Sequence, residues 1–539
     1  MGAAAAGGAA ALASPSGSAA AAALNAGSGA APGLADEVAP VFGGTTVLPD
    51  DPRYHDLVAS WNGRFTGTPD YVRVVASTAQ VEEALAEAVR AGKRVAARSG
   101  GHCVENFWAN PAIQVELDLS PMRAIYFDPA VQAFAIEPGA VLRDVYKSLF
   151  IDYGVTLPGG VCADVGVGGH FCGGGYGILA RRSGIVPDHM YAVQVVTVDK
   201  SGNPQTVVAT REASDPNNDL FWAHTGGGGG NFGIVTRYWM RTPGASGDPG
   251  GLLPKPPAQA RVVTYAWPYS ALNLESFTAI VRGYSLWQEG NSSPGSPNSR
   301  LYAQLSCLHV NSSPVVPLAV MVDPTESDSG TLLSSFAAEV IDPITPAAVV
   351  SEVTYPWLQF TEAFSSPDAG TMVGWRTKAK GSYLRQSYTD AQIATMYHYL
   401  TGTSLNSPVA GVLFSGYGGQ VNAVAPDATA VPQRDSVMKV LHTVFWDDAS
   451  QDATYLSWAR EFYQALYSAT GGVPTLNGIA DGSYINYADV DLADPAWNTS
   501  GVPWSALYYK DSYARLQEVK AKWDPLNVFN HALSVQPPG

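Results

Sequence analysis

Residues 158–177 read PGGVCADVGVGGHFCGGGYG, nine glycines in twenty positions. Such a density reads as loop, where the backbone comes close to a partner and presents its N–H groups to anions such as a pyrophosphate. A shorter companion lies upstream, RSGGHC at 98–103, and a third cluster follows, HTGGGGGNFGIV at 224–235. The chain has four cysteines and nine histidines; Cys103, Cys162, Cys172, His102 and His170 all fall in the first two of these stretches. Three of the four cysteines and two of the nine histidines therefore sit in these two glycine-rich loops.

The bulk properties narrow what that can be. A chain of 539 residues buries a large core and exceeds one typical domain. A net charge of −16 argues against nucleic acid, whose phosphates call for clustered Lys and Arg. No apolar run is long enough for a membrane-spanning helix, so no membrane partner is expected. Four cysteines do not make a disulfide scaffold at this length. Residues 1–48 are expected to be a low-complexity leader, dominated over 1–34 by Ala, Gly and Ser, with Arg53 the first basic residue. Without a positive n-region it does not read as a secretory signal, which favours a cytoplasmic location.

Local patterns organise the rest. YVRVVA at 71–76 alternates like a strand. STAQVEEALAEAVRAGKR follows, with Ser77 or Thr78 as cap, apolar residues at helical spacing and Gly92 at the end. VAARSGG then runs from strand into loop, completing an α/β unit. Short strands are expected in IQVELDLS, AIYFD and AFAIEPGA, and a helix in VLRDVYKSLF. VQVVTV and QTVVAT around DKSGN predict a hairpin. The Pro/Gly-rich stretch 243–260 is the best linker in the chain. Beyond it the aromatic content rises, and mixed strand and helix patterns over 260–480 suggest an α+β region.

Simple readings of the glycine loops fail. No GxxxxGK[ST] is present, which excludes the P-loop, and GGGYG lacks the strand, helix and acidic residue of a dinucleotide fingerprint. His-Cys and His-x-Cys are not usual zinc spacings, so no metal is expected. His170, Cys103, Cys172 and Cys307 read as ordinary buried residues.

RSGGH and PGGVC, sixty positions apart with GVGGHFCGGGYG behind them, together resemble the berberine-bridge-type flavin oxidases. NFGIV at 231–235, SYINYADVDL at 483–492 and the C-terminal YYKDSYARLQEVKAKWDPLNVFNHALSV extend the resemblance over nearly the whole ordered chain. It implies an α+β fold: a PCMH-type FAD-binding lobe of two α/β subdomains, and a substrate lobe with an antiparallel sheet backed by helices. The expected boundaries are 49–255 for the FAD-binding domain, 256–480 for the substrate domain, and 481–539 for a segment returning to the first. The resemblance implies FAD held bicovalently, through His102 to the 8α-methyl and through Cys162 to C6.

The remaining site residues are expectations of the same kind. Arg98, Ser99, Gly100 and Gly101 surround His102. Val165 occupies the position where a small residue admits oxygen, and Gly166, Gly169, His170, Gly174, Gly175, Tyr176 and Gly177 line the cofactor. Asn231, Gly233 and Val235, and Tyr484, Asn486 and Asn527, are assigned to it by family position. Tyr487 matches the base of the family's alcohol oxidases, and Tyr383 in KAKGSYLR is preferred over the nearby Tyr388 as the assisting tyrosine. Tyr417, Trp375 and Tyr388 are assigned to the substrate. The expected activity is hydride transfer from a carbinol C–H of a sugar or glycosylated natural product to flavin, with O2 reoxidation to H2O2. The alternatives are an oxidative cyclase or amine oxidase, whose base is often a carboxylate, and a non-enzymatic flavin- or sugar-binding relative. The sequence leaves the oligomeric state open.

Overall fold

The computed structural model describes residues 44–365, 374–402 and 405–539; most of the expected leader lies outside these residues. The first strand, β1 (Thr45–Val47), falls within the stretch read as leader and pairs antiparallel with β2 (Tyr71–Val74). Ser77 caps helix α1 (Thr78–Arg90), its side chain accepting from Gln80 N. Val81, Ala84, Leu85 and Ala88 form the helix's buried stripe. β3 (Val95–Arg98) and β2 both run parallel to β4 (Val115–Asp118), closing a four-stranded sheet in the order β1-β2-β4-β3.

A second sheet takes β5 (Ile125–Asp128), β6 (Ala133–Ile136), β7 (Met190–Val198), β8 (Pro204–Thr210) and β9 (Ile234–Met240) in the antiparallel order β5-β6-β9-β7-β8. β7 and β8 are the expected hairpin, and helix α2 (Leu142–Tyr153) is the expected VLRDVYKSLF helix, ended by Gly154 at φ +65°. The 158–177 stretch is not all loop. Val167–Cys172 forms a short helix, α3, because Val167 and Phe171 bury one face despite Gly168 and Gly169 between them.

The third sheet has seven antiparallel strands: β10 (Gln259–Pro268), β11 (Tyr302–Leu308), β12 (Val315–Val322), β13 (Ala348–Pro356), β14 (Arg376–Leu384), β15 (Val409–Gly416) and β16 (Met438–Trp446). Their order is β13-β10-β12-β11-β15-β16-β14. Helices α4 (Leu274–Gly290), α5 (Asp390–Thr401) and α6 (Asp452–Leu466) pack together behind it. Tyr284 of α4 is fully buried there and donates to the Ala303 and Phe414 carbonyls. The other face is partly open, through Gln304, Ser306, Leu413 and Leu441. The C-terminal segment extends the edge of β14, where Tyr383 N donates to Gly482 O and Asp481 N to Tyr383 O. It then forms helix α7 (Ser512–Trp523), whose buried Lys520 Nζ reaches Asn231 O and Asp524. The α+β class expected from the resemblance is the class found, with antiparallel sheets dominating.

Candidate active site

The first two glycine stretches meet backbone to backbone. A methyl group on Gly100 would lie 2.4 Å from Gly166 N, and one on Gly166 would lie 2.2 Å from Gly100 N and Ser99 Oγ. Only glycine fits at either position. Ser99 Oγ seals the junction, donating to Pro138 O and accepting from Gly168 N. Arg98 sits behind it, bonded to Leu57 O and stacked on Trp108 at 5.1 Å. Gly101 takes φ +72°, a turn that sends His102 out half-buried and stacked on Trp61, ring centroids 5.3 Å apart.

Cys162 and Val165 are also half-buried, on a turn whose carbonyls at 163 and 165 accept from Arg143 N and Leu142 N of the α2 start. His170 holds this turn from inside: its Nε2 accepts from Gly160 N at 3.0 Å. Burial, with a smaller push from the charge of Lys439, lowers its pKa to about 4, so it stays neutral and able to accept. Gly175 packs on the same ring and Gly177 on Gly159 O, while Gly174 adopts φ +94°. Gly169 is exposed, with no atom within 4 Å of where a side chain would begin; exposed Gly229 of the third cluster faces it. These two glycines form an open wall.

Asn231 lies behind that wall. It donates to Gly227 O and Gly228 O and accepts from Val535 N, fixing the third glycine loop. Gly233 and Val235 pack inward, against Val196 O and in the core respectively. Asn486 Nδ2 donates to His170 O and to Tyr484 Oη. Asn527, at φ +52°, has a buried Oδ1 with no hydrogen-bond partner among the described residues.

Above the loops lies an aromatic cluster. Tyr487 Oη and Tyr176 Oη are 2.7 Å apart, both residues half-buried. Tyr484, Tyr383 and Tyr417 pack around them, with ring centroids 5.1 Å from Tyr484 to Tyr487 and 5.4 Å from Tyr383 to Tyr417. Strand register inserts a cation: Tyr383 of β14 faces Lys439 of β16, which faces Ser415 of β15, which faces Gln304 of β11. Lys439 Nζ stands 3.3 Å above the Tyr484 ring and 3.6 Å above the Tyr176 ring, without a hydrogen-bond partner among the described residues. Burial pushes the phenols of Tyr487, Tyr176 and Tyr383 well above 10 and the Lys439 ammonium well below its usual range.

One residue assigned to the substrate lies elsewhere. Tyr388 is buried on the helix side, its hydroxyl 2.7 Å from Tyr467 Oη. Trp375 precedes β14, half-buried, and its carbonyl accepts from Gly63 N. Sequence reasoning missed Lys439, Gln304, Ser306 and Trp61. For Lys439 a signal existed, a lone lysine inside the apolar strand MKVLHTVFW.

Comparison with known proteins gives this geometry its context. A model described as "FAD binding domain" matches residues 69–203, and "Berberine and berberine like" matches 483–536. Aclacinomycin-N/aclacinomycin-A oxidase from Streptomyces galilaeus is 49% identical over 91% of this chain and 89% of its own length. The chain belongs to the berberine-like family of FAD-linked oxidoreductases. A glycopeptide hexose oxidase solved with teicoplanin superposes with a TM-score of 0.88 at 47% identity, covering 92% of this chain and 99% of that one. A more distant fold neighbour, glucooligosaccharide oxidase from Acremonium strictum, has a TM-score of 0.75 at 19% identity over 92% and 98% of the two chains. That protein carries a 6-S-cysteinyl, 8α-N1-histidyl FAD.

The residues present fit FAD. Exposed backbone at Gly169 and Gly229 leaves a flat ligand room to lie against it, and the buried Oδ1 of Asn527 is an acceptor without a partner among the described residues. The enzyme is an FAD-linked oxidoreductase. No helix among the described residues is long and apolar enough to cross a membrane.

Proposed function

We propose that this enzyme oxidises a carbinol of a sugar or glycosylated natural product to the carbonyl, with O2 reduced to H2O2: R2CHOH + O2 → R2CO + H2O2. The observation that carries the reading is the Tyr487–Tyr176 hydroxyl pair, at 2.7 Å, beside the buried Lys439. Support for the substrate class comes from the two similar enzymes, an aclacinomycin oxidase and a glycopeptide hexose oxidase. The half-exposed Gln304 and Ser306 supply polar groups for a sugar on the open sheet face. Tyr487 stands at the base position where those alternatives often carry a carboxylate, which disfavours the cyclase and amine-oxidase readings.

Bound FAD supplies the two-electron acceptor. Tyr487 acts as the phenolate, which Tyr176 stabilises by donating to it, and on taking the carbinol proton it becomes the neutral phenol. Lys439, on taking the tyrosine proton, places a cation on the faces of Tyr176 and Tyr484. Tyr383 and Tyr417 pack against this group and keep water out of it. His102 and Cys162, both half-buried on loops that glycine packing fixes, hold the cofactor covalently, and Val165 leaves O2 a path.

The test combines flavin retention with peroxide release. Acid-denatured protein should stay yellow in His102→Ala and in Cys162→Ala and lose colour only in the double variant. Tyr487→Phe should keep its flavin and lose on the order of 10³-fold in kcat toward glycosides. Flavin released from the wild type would end the attachment assignment, and undiminished kcat in Tyr487→Phe would end the role of Tyr487.

A further inference from the structure

Lys378 and Lys380 stand two apart on β14, so both leave the sheet on the face opposite Gly381 and Tyr383. Both are almost wholly buried. Lys378 Nζ lies 2.6 Å from Glu105 Oε1, 2.8 Å from Asp489 Oδ1 and 3.4 Å from Asp491 Oδ2. Lys380 Nζ lies 2.8 Å from Asp489 Oδ2 and 2.7 Å from Asp491 Oδ2. Arg460 of α6 completes the group, 2.9 Å from Asp491 Oδ1. Three cations thus face three carboxylates. Desolvation cancels much of the attraction in such a cluster, so net stabilisation is a weak reason for it. What it ties together is more informative.

Glu105 follows His102 by three residues, and Asp489 follows Tyr487 by two. A second tie runs beside the first: Asn62 donates to Val104 O and to Thr377 O and accepts from Thr377 N. Adjacent residues of β14, Thr377 and Lys378, therefore hold adjacent residues of the His102 loop, Val104 and Glu105. On the opposite face of the same strand, a methyl group on Gly381 would lie 3.1 Å from the Tyr487 side chain. Lys378 alone has ion pairs to both the loop and the tyrosine segment among the described residues; those of Lys380 reach only the aspartates.

We infer that Lys378 is a positioning residue whose single buried ammonium sets the His102 loop and the Tyr487 segment relative to one another. Cofactor attachment through His102 and placement of the base are then coupled through one side chain. This rests on the roles given above to His102 and Tyr487.

The experiment uses the holoenzyme in a Cys162→Ala background, where His102 is the remaining link. Flavin retained after acid denaturation, kcat, KM and the thermal midpoint are measured for Lys378→Met, Lys378→Arg, Lys380→Met and Lys378→Met with Glu105→Gln. The last variant removes one charge of each sign, so the midpoint recovers toward that of the parent and carries the test should Lys378→Met fold poorly. The expected result is that this double change still retains about fivefold less flavin than the parent, with kcat down on the order of 100-fold and KM little changed. Lys378→Arg restores most of both, and Lys380→Met lowers kcat while keeping attachment within about twofold of the parent. Attachment and kcat returning with the midpoint in the double change would reduce the cluster to a structural one and overturn the inference. So would Lys380→Met losing as much flavin as Lys378→Met. Flavin released from the Cys162→Ala parent itself is a different failure, since it removes His102 attachment before Lys378 is in question.

Discussion

At the scale of single residues, the site is defined by opposed shifts. Burial pushes the Tyr487 and Tyr176 phenols up and the Lys439 ammonium down. Moving one proton from tyrosine to lysine therefore creates an ion pair whose members neither could hold alone in that cavity. In the proposed mechanism activity needs the phenolate, so kcat rises with pH. Lys439→Met withdraws the cation and should move that rising limb to higher pH, with Lys439→Arg moving it back. Superimposable pH–rate profiles for wild type and Lys439→Met would remove the lysine from the mechanism. Tyr383 and Tyr388 carry a similar lesson. They are five residues apart in sequence, and only their position relative to β14 separates them: Tyr383, on the strand, faces the cluster, whereas Tyr388, past its end, joins Tyr467 in the helix-side core.

At the scale of elements, β14 does two jobs because its side chains alternate. One face presents Gly381 and Tyr383 to the cluster, and the other sends Lys378 and Lys380 into the buried ion group. Gly381 tests the first face. The Cβ of an alanine there would stand 3.1 Å from Cβ and Cδ2 of Tyr487, so the tyrosine must move by a few tenths of an ångström. Gly381→Ala should lower kcat on the order of tenfold while leaving flavin retention unchanged. An unaltered kcat would mean that Tyr487 tolerates displacement. α3 shows where element-level reading fell short: glycine content argued for loop, but two buried apolar side chains and the contact with Ser99 favoured a turn and a half of helix.

At the scale of the whole molecule, one buried group sets a cost unrelated to catalysis. Glu116, in the centre of the four-stranded sheet, is 1% exposed, and neither carboxylate oxygen has a partner among the described residues. Burial pushes its carboxyl up to about 8, against an attraction from Arg98. The folded state then holds a proton that the unfolded chain releases above about pH 4.5, so stability falls as pH rises from there to about 8. Glu116→Gln should raise the melting temperature at pH 8 by on the order of 5 °C and leave it unchanged near pH 4.5. Equal midpoints at pH 8 would show that the carboxylate finds compensation in the folded state. Across the chain, what the sequence determined by itself was local or motif-bound. The β2-α1-β3 unit, the β7-β8 hairpin and the glycine loops follow from propensity, capping and turn chemistry, which act over a few residues. The family and its FAD chemistry followed from motifs spread along the chain. Only the tertiary structure decided that Lys439 lies over the rings of Tyr176 and Tyr484, and that Lys378 joins Glu105 to Asp489. Both depend on a seven-strand order that does not follow the chain, and on registers between segments far apart in sequence, for which no short window of residues carries a signal.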